Sequence, residues 1–240
     1  LENFIDLLTS PEYYRSVYHS FLFSLGVTFS CLSASLFLAV LANQKIRGLP
    51  FYRSALLWTF GVAPPVSGII WLFVFHPSYG ILTYLLAHIT TYEFNWLLKG
   101  WIALLLVIFA ASWAHLGYNV AFFLAALQTI PQAVMEAARV DGASGLRLFR
   151  WITFPLLSPV TFFLFIMNMV FSFFETFGII HAVTQGGPGD ATTIMVYKAY
   201  VDGFVHLRMG LSAAQSVILM ALVIFLTVLQ FRFTERKVFY

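Results

Sequence analysis

An all-α integral membrane bundle is the fold class this sequence predicts, on three observations. Hydrophobic residues make up 60% of the 240 and charged residues 10%, against roughly 45–50% and about 25% in a soluble domain. Five stretches of about 20 residues or more are almost free of charge, long enough for helices to cross a bilayer core ~30 Å thick. None alternates with the period of two that a membrane β-barrel strand shows. Lipid penalises any unpaired backbone amide, so the spans should be helical throughout.

In order, the spans are expected at about 16–42, 54–75, 101–128, 153–183 and 211–231, all within one domain, 1–240. The first holds the lone Cys31, which reads as a small buried thiol. The second contains Pro64-Pro65, which removes backbone donors and predicts a kink or an unwound turn of the kind found near transport pathways. The third carries Asn119 and the fifth Gln215. The fourth carries Asn168 and Glu175, the one acid expected inside a span. An intramembrane acid faces protein or water, so Glu175 is either part of a translocation path or a hydrogen-bonded carboxyl tying helices together. Asn119, Asn168 and Gln215 are path candidates too, with interhelical contact as the commoner use.

Orientation follows from the basic residues. Lys45, Arg47 and Arg53, then Arg139, Arg147 and Arg150, then Arg232, Arg236 and Lys237 fall in three connections that share one side. Arg15, Lys99, Lys198 and Arg208 fall on the other. Nine against four places the first side, and with it the C-terminus, in the cytoplasm. Trp58, Trp71, Trp96, Trp101 and Trp151 lie mostly near span ends, as an interfacial aromatic belt requires. The polar segment 1–15 is then outside, and a further N-terminal helix is expected to carry it there, making six spans in the complete protein.

Enzyme chemistry finds no footing. There is no phosphate-binding G-x-x-x-x-G-K-[ST] loop, no His-Glu-x-x-His pair and no nucleophile elbow. The six histidines lack metal-ligand spacing. Catalytic residues, a metal and a cofactor are therefore not expected on this chain. Nucleic acid is not an expected partner either, because a net charge of +3 spread over several loops makes no basic stripe. Gly186-Gly187-Pro188-Gly189 reads as a tight turn.

The informative segment is the cytoplasmic connection at about 129–152. Pro131 can open a helix and Gly142 can close it. Between them Val134, Ala137, Ala138 and Asp141 recur at i, i+3, i+4, i+7, with Glu136 and Arg139 beside them. This predicts an amphipathic helix of about three turns whose alanines let another backbone approach.

Glu136-Ala137-Ala138, three residues, Gly142, nine residues, then Ile152-x-x-Pro155 resembles the signature of permease subunits of binding-protein-dependent ABC importers. Phe154 stands where the family usually has Leu. Ala126–Pro131, Thr184–Pro188 and Ala191-Thr192-Thr193 are similar to carbohydrate-type, maltose-permease-like members. Within these, Tyr118-Asn119, Phe173–Phe177 and the run from Ser212 to Arg232 resemble the A-type permeases of sn-glycerol-3-phosphate importers.

The resemblance implies a type I importer permease bundle, with Glu136, Ala137, Ala138, Asp141 and Gly142 in a coupling helix that contacts an ATPase. It implies as partners a second homologous permease, two ATPase subunits holding ATP and Mg, an extracytoplasmic binding protein and the lipid bilayer of the inner membrane. The substrate implied is sn-glycerol-3-phosphate or a glycerophosphodiester. The alternatives are a neutral sugar on the same machinery or, more remotely, an ion-coupled secondary transporter.

Overall fold

A computed structural model of the chain describes residues 2–44, 48–89 and 95–234. Lys45, Arg47, Arg236 and Lys237 lie outside them. Helices appear in the order α1 (Glu2–Thr9), α2 (Pro11–Ala42), α3 (Leu49–Leu57), α4 (Pro64–Val74), α5 (Ile81–Ile89), α6 (Gly100–Thr129), α7 (Gln132–Val140), α8 (Gly145–Leu148), α9 (Phe154–Leu156), α10 (Ser158–Phe174), α11 (Phe177–Val183), α12 (Met195–Tyr200) and α13 (Met209–Thr234). A 3₁₀ turn follows α3, and π-helical turns follow α8 and α12. No strand occurs among the described residues.

Three helices are long and apolar enough to cross a membrane unbroken: Pro11–Ala42, Gly100–Thr129 and Met209–Arg232. Two further helix pairs reach spanning length only together, as broken spans, each bent sharply at a short break. Pro50–Gly61 and Pro64–Val74 meet at 107°, and Gly145–Leu156 and Ser158–Phe174 meet at 69°. The first break falls at Pro64-Pro65, where the missing N–H groups cannot continue a helical ladder. The second falls at Leu157, one residue before the Ser158-Pro159 start of α10.

The fourth span departs from the sequence reading. Helix begins earlier than 153, at Gly145, and α10 ends at Phe174, so 153–183 is not one continuous helix. Glu175 and Thr176 separate it from α11. The Thr176 hydroxyl donates back to Ser172 O at 2.8 Å, and Ile179 N–H donates to Thr176 O at 3.1 Å, starting α11 afresh.

The core forms where α2, α6 and α10 run together, with α4 and α11 against them. Phe23, Val27, Val107, Ala110, Ala111, Phe171 and Ile179 are all buried there. Small residues set the spacing: a Cβ on Gly26 would lie 2.7 Å from Ile108 Cδ1, so α2 and α6 approach more closely than larger side chains permit. Hydroxyls then join the helices pairwise. Ser30 meets Ser112 at 2.6 Å (α2–α6), Ser24 meets Ser172 (α2–α10), and Ser67 donates to Ala110 O at 3.0 Å (α4–α6). Outward, Phe29, Phe37, Leu105, Phe109, Val217, Ile224 and Phe225 are exposed, an apolar girdle that lipid or a neighbouring subunit covers.

The two broken spans lock to each other. On α11, a Cβ at Gly178 would sit 2.5 Å from Pro65 Cγ; on α4, a Cβ at Gly68 would sit 3.1 Å from Ile179 O. Gly178→Val therefore forces α4 from α11. A cost of about 1–3 kcal/mol is expected for this overpacking, read as a lower thermal midpoint of the purified subunit, with Gly178→Ala intermediate. An unchanged midpoint would show that the contact is slack.

Candidate functional site

α7 and the turn after it are largely exposed and carry a recognisable pattern. Pro131 precedes the helix in extended conformation (φ −60°, ψ 132°) and Val134 N–H donates to its carbonyl at 3.1 Å. The helix has 9 residues, about 13 Å at ~1.5 Å each, shorter than the three turns expected. It ends in a Schellman motif: Gly142 N–H donates to Arg139 O at 3.0 Å and Ala143 N–H to Ala138 O at 2.9 Å. Gly142 has φ +83° and nothing within 4 Å of a hypothetical Cβ. Glycine is needed here for backbone conformation, not for space.

The face expected at Val134, Ala137, Ala138 and Asp141 is split. Ala138 is buried, while Val134, Glu136, Ala137, Asp141 and Gly142 are exposed. The inward stripe is instead Met135 and Ala138, because a helix this short turns only those positions to the bundle. Beneath it lies a groove of about 620 Å³, lined by Val40 and Asn43 at the end of α2, Gln132, Met135, Glu136 and Arg139 of α7, and Leu148 and Phe149. On the same side Arg53 Nε and Nη2 both donate to Ala42 O at 3.2 Å, a cation closing the C-terminus of α2.

Of the intramembrane candidates, Asn119 and Asn168 come together. Each donates an amide hydrogen to the other, Asn168 Nδ2 to Asn119 Oδ1 at 2.7 Å and Asn119 Nδ2 to Asn168 Oδ1 at 3.3 Å. Each also donates to its own helix, Asn119 to His115 O at 2.9 Å and Asn168 to Leu164 O at 2.7 Å. Both are 0% exposed. They clasp α6 to α10.

Glu175 stands apart from them. It caps α10, its N–H donating to Phe171 O at 2.9 Å. Its carboxylate is exposed and makes no hydrogen bond or ion pair among the described residues. The helix of 17 residues below it puts it about 25 Å from Ser158.

Gln215 belongs to a third group, at the far end of the bundle from α7. Its Nε2 donates to Asp202 Oδ2. Lys198 Nζ lies 3.4 Å from the same carboxylate and 3.6 Å from Glu12, and His206 Nδ1 is 3.1 Å from Asp202 Oδ1. Asp202 is only 3% exposed. Burial pushes its carboxyl up, but the hydrogen bonds from Gln215 and His206, with the Lys198 charge, outweigh that and hold it below the usual carboxylate range. Asp202 lies between spans, where hydropathy does not single it out. The spacing Lys198-x-x-x-Asp202-x-x-x-His206 was the available signal, since residues four apart share a helical face.

Gln185–Thr193 forms the turn expected at the glycines. Thr192 N–H donates to Gly186 O at 3.1 Å and its hydroxyl to Gly187 O at 3.0 Å. Gly186 has φ +83°, and a Cβ there would lie 2.6 Å from Thr193 Oγ1.

Replacing Asn168 by Leu strands the Asn119 Oδ1 in an apolar interior. A loss of about 1–3 kcal/mol is expected, seen as reduced thermal stability. The double variant Asn119→Leu/Asn168→Leu should recover part of it; additive losses would mean the clasp contributes nothing as a pair.

Residues 35–240 match the family described as "Binding-protein-dependent transport system inner membrane component". The sn-glycerol-3-phosphate transport system permease protein UgpA of Brucella abortus biovar 1 (strain 9-941) is 50% identical over 240 residues, covering 100% of this chain and 82% of that protein. UgpA of Rhizobium meliloti (strain 1021) is 49% identical, covering 99% and 81%, and that of Salmonella typhi 45%, covering 100% and 81%. The fold is similar to a chain of a bacterial ABC transporter involved in the import of the acidic polysaccharide alginate, with TM-score 0.83, 20% identity and coverage of 98% of this chain and 84% of that one. The alginate transporter in complex with an alginate pentasaccharide-bound periplasmic protein gives TM-score 0.85 at 18% identity, covering 98% and 83%.

Proposed function

This chain belongs to the family of binding-protein-dependent transport system inner membrane components, and on that footing we propose that it carries sn-glycerol-3-phosphate across the inner membrane as the permease subunit of an ABC importer. The observation that carries the substrate is the 50% identity, over the whole chain, to a permease of that name. The alternatives of a neutral sugar and of ion coupling have no such support.

ATP hydrolysis belongs to other polypeptides in this reading. Two ATPase subunits hold ATP and Mg, a second permease completes the path, and an extracytoplasmic protein delivers the substrate. The C-terminus and α7 lie on the cytoplasmic side, as the basic residues favour. Glu136, Ala137, Asp141 and Gly142 then meet the ATPase directly, while Ala138 seats α7 on its own bundle. Motion passes from α7 through the bent helix that starts at Gly145 to α10. Because α11 follows α10 and is locked to α4, the two broken spans shift as one body. Glu175, at the break, faces the path or the second permease.

A stable protein interface buries about 1,200–2,000 Å², more than one helix of about 13 Å supplies. Isolated in lipid, the chain is expected to show no ATP turnover and no uptake, and to gain both only with the second permease and the ATPase pair. Concentrative uptake by the chain alone would overturn the assignment.

Gly142→Val replaces a residue with φ +83° by a β-branched one, a strain of about 1 kcal/mol or more. In the assembled importer this is expected to leave membrane insertion intact and to lower uptake per ATP hydrolysed at least severalfold. Wild-type coupling in that variant would remove α7 from the transmission route.

A further inference from the structure

At the end of α2 opposite the α7 groove lies a small chamber of about 220 Å³, lined in part by Glu12, Arg15, His19, Asp190, Lys198 and His206. From Val40, which lines the α7 groove, to Arg15 is 25 residues of one helix, or about 38 Å. The two sites therefore face opposite sides of a core ~30 Å thick. A cleft of this size admits one small solute.

Its charges are unevenly committed. The Asp202 carboxylate is occupied by Lys198, His206 and Gln215. The Asp190 carboxylate takes the Thr193 hydroxyl at 3.3 Å. Glu12 touches Lys198 at 3.6 Å, but its side chain is 78% exposed, so water weakens its hold. Arg15 has no hydrogen bond or ion pair among the described residues. His19, one turn along α2 from Arg15, lies against Asp190, and its Nδ1 is buried from solvent. The cation that no described carboxylate pairs is thus the Arg15 guanidinium, exposed at the rim of the chamber. Arg15 is carried on α2, and the opposing wall is built by the hydrogen-bonded turn at Gln185–Thr193.

We propose that this chamber is a receiving subsite for the phosphoryl end of a small phosphate monoester, with Arg15 as its principal cation. The planar guanidinium pairs two phosphate oxygens at once, and the phosphate competes with the solvated Glu12 for Lys198. This inference rests on the sn-glycerol-3-phosphate reading above and adds where the ester is first held on this chain.

The test uses the full importer, both permeases with the ATPase pair, in nanodiscs of phosphatidylcholine alone and in parallel with phosphatidylglycerol added. ATP-driven uptake of sn-glycerol-3-phosphate by the wild-type complex with its binding protein is measured first in vesicles; no uptake there refutes the substrate reading itself. Given uptake, equilibrium binding of radiolabelled sn-glycerol-3-phosphate to the nanodisc complex without binding protein is compared among variants. Arg15→Gln is expected to weaken binding about tenfold, one charge-assisted contact's worth, and to weaken competition by inorganic phosphate alike. Arg15→Lys should recover part of the loss, and His19→Gln should lose less than Arg15→Gln. Basal ATPase activity and thermal midpoint report assembly of each variant. Arg15→Gln with wild-type binding in an assembled complex overturns the proposal. So does an effect present only with phosphatidylglycerol, which would make Arg15 a lipid-headgroup contact.

Discussion

Inside a membrane an unpaired polar atom is costly, because hydrocarbon offers it no partner. That constraint organises this bundle. The apolar majority of the sequence gives the helices no reason to prefer one another over lipid, since lipid tails are as apolar as leucine. Specific association comes from the few hydroxyls and amides that have a unique mate: Ser24 with Ser172, Ser30 with Ser112, Asn119 with Asn168. The same rule operates nearer the far surface, where Ser20 accepts the Met195 N–H at 2.7 Å and Ser212 donates to Ala199 O at 2.7 Å. Each bond is worth little alone, but together they fix which helix lies beside which.

The two ends of the molecule are built on opposite terms. At the α7 end, charges stand exposed and a short helix is held by one buried alanine, an arrangement suited to being gripped from outside. At the other end, a carboxylate is buried under three partners and two cavities share Glu12 and Lys198. Between them the unbroken helices α2, α6 and α13 form a frame, while the broken spans are the elements with room to respond.

Much of this was legible in the sequence. Fold class followed from composition, and the α7 segment from its spacing, because a proline and a glycine bracket a short helix whatever surrounds it. The break at Pro64-Pro65 was legible for the same local reason. The break at Glu175-Thr176 was not, since phenylalanines on both sides read as continuous span and the Thr176 hydroxyl's bond to Ser172 O appears only in the fold. Asn119 and Asn168 were legible as polar residues but not as a pair, because 49 positions separate them and only the packing of α6 on α10 joins them. Glu175 was placed inside a helix by hydropathy, whereas the chain puts it at a junction.

The Gly178–Pro65 contact has a consequence for how this chain can vary over time. A proline ring has no rotamer to retreat into, so neither residue can grow or change shape unless the other changes with it. The two positions, 113 apart in sequence, should therefore drift as one unit. Natural variants that lose the proline are the backgrounds in which a larger residue at 178 becomes admissible, and the order of the two changes is constrained, with the proline going first.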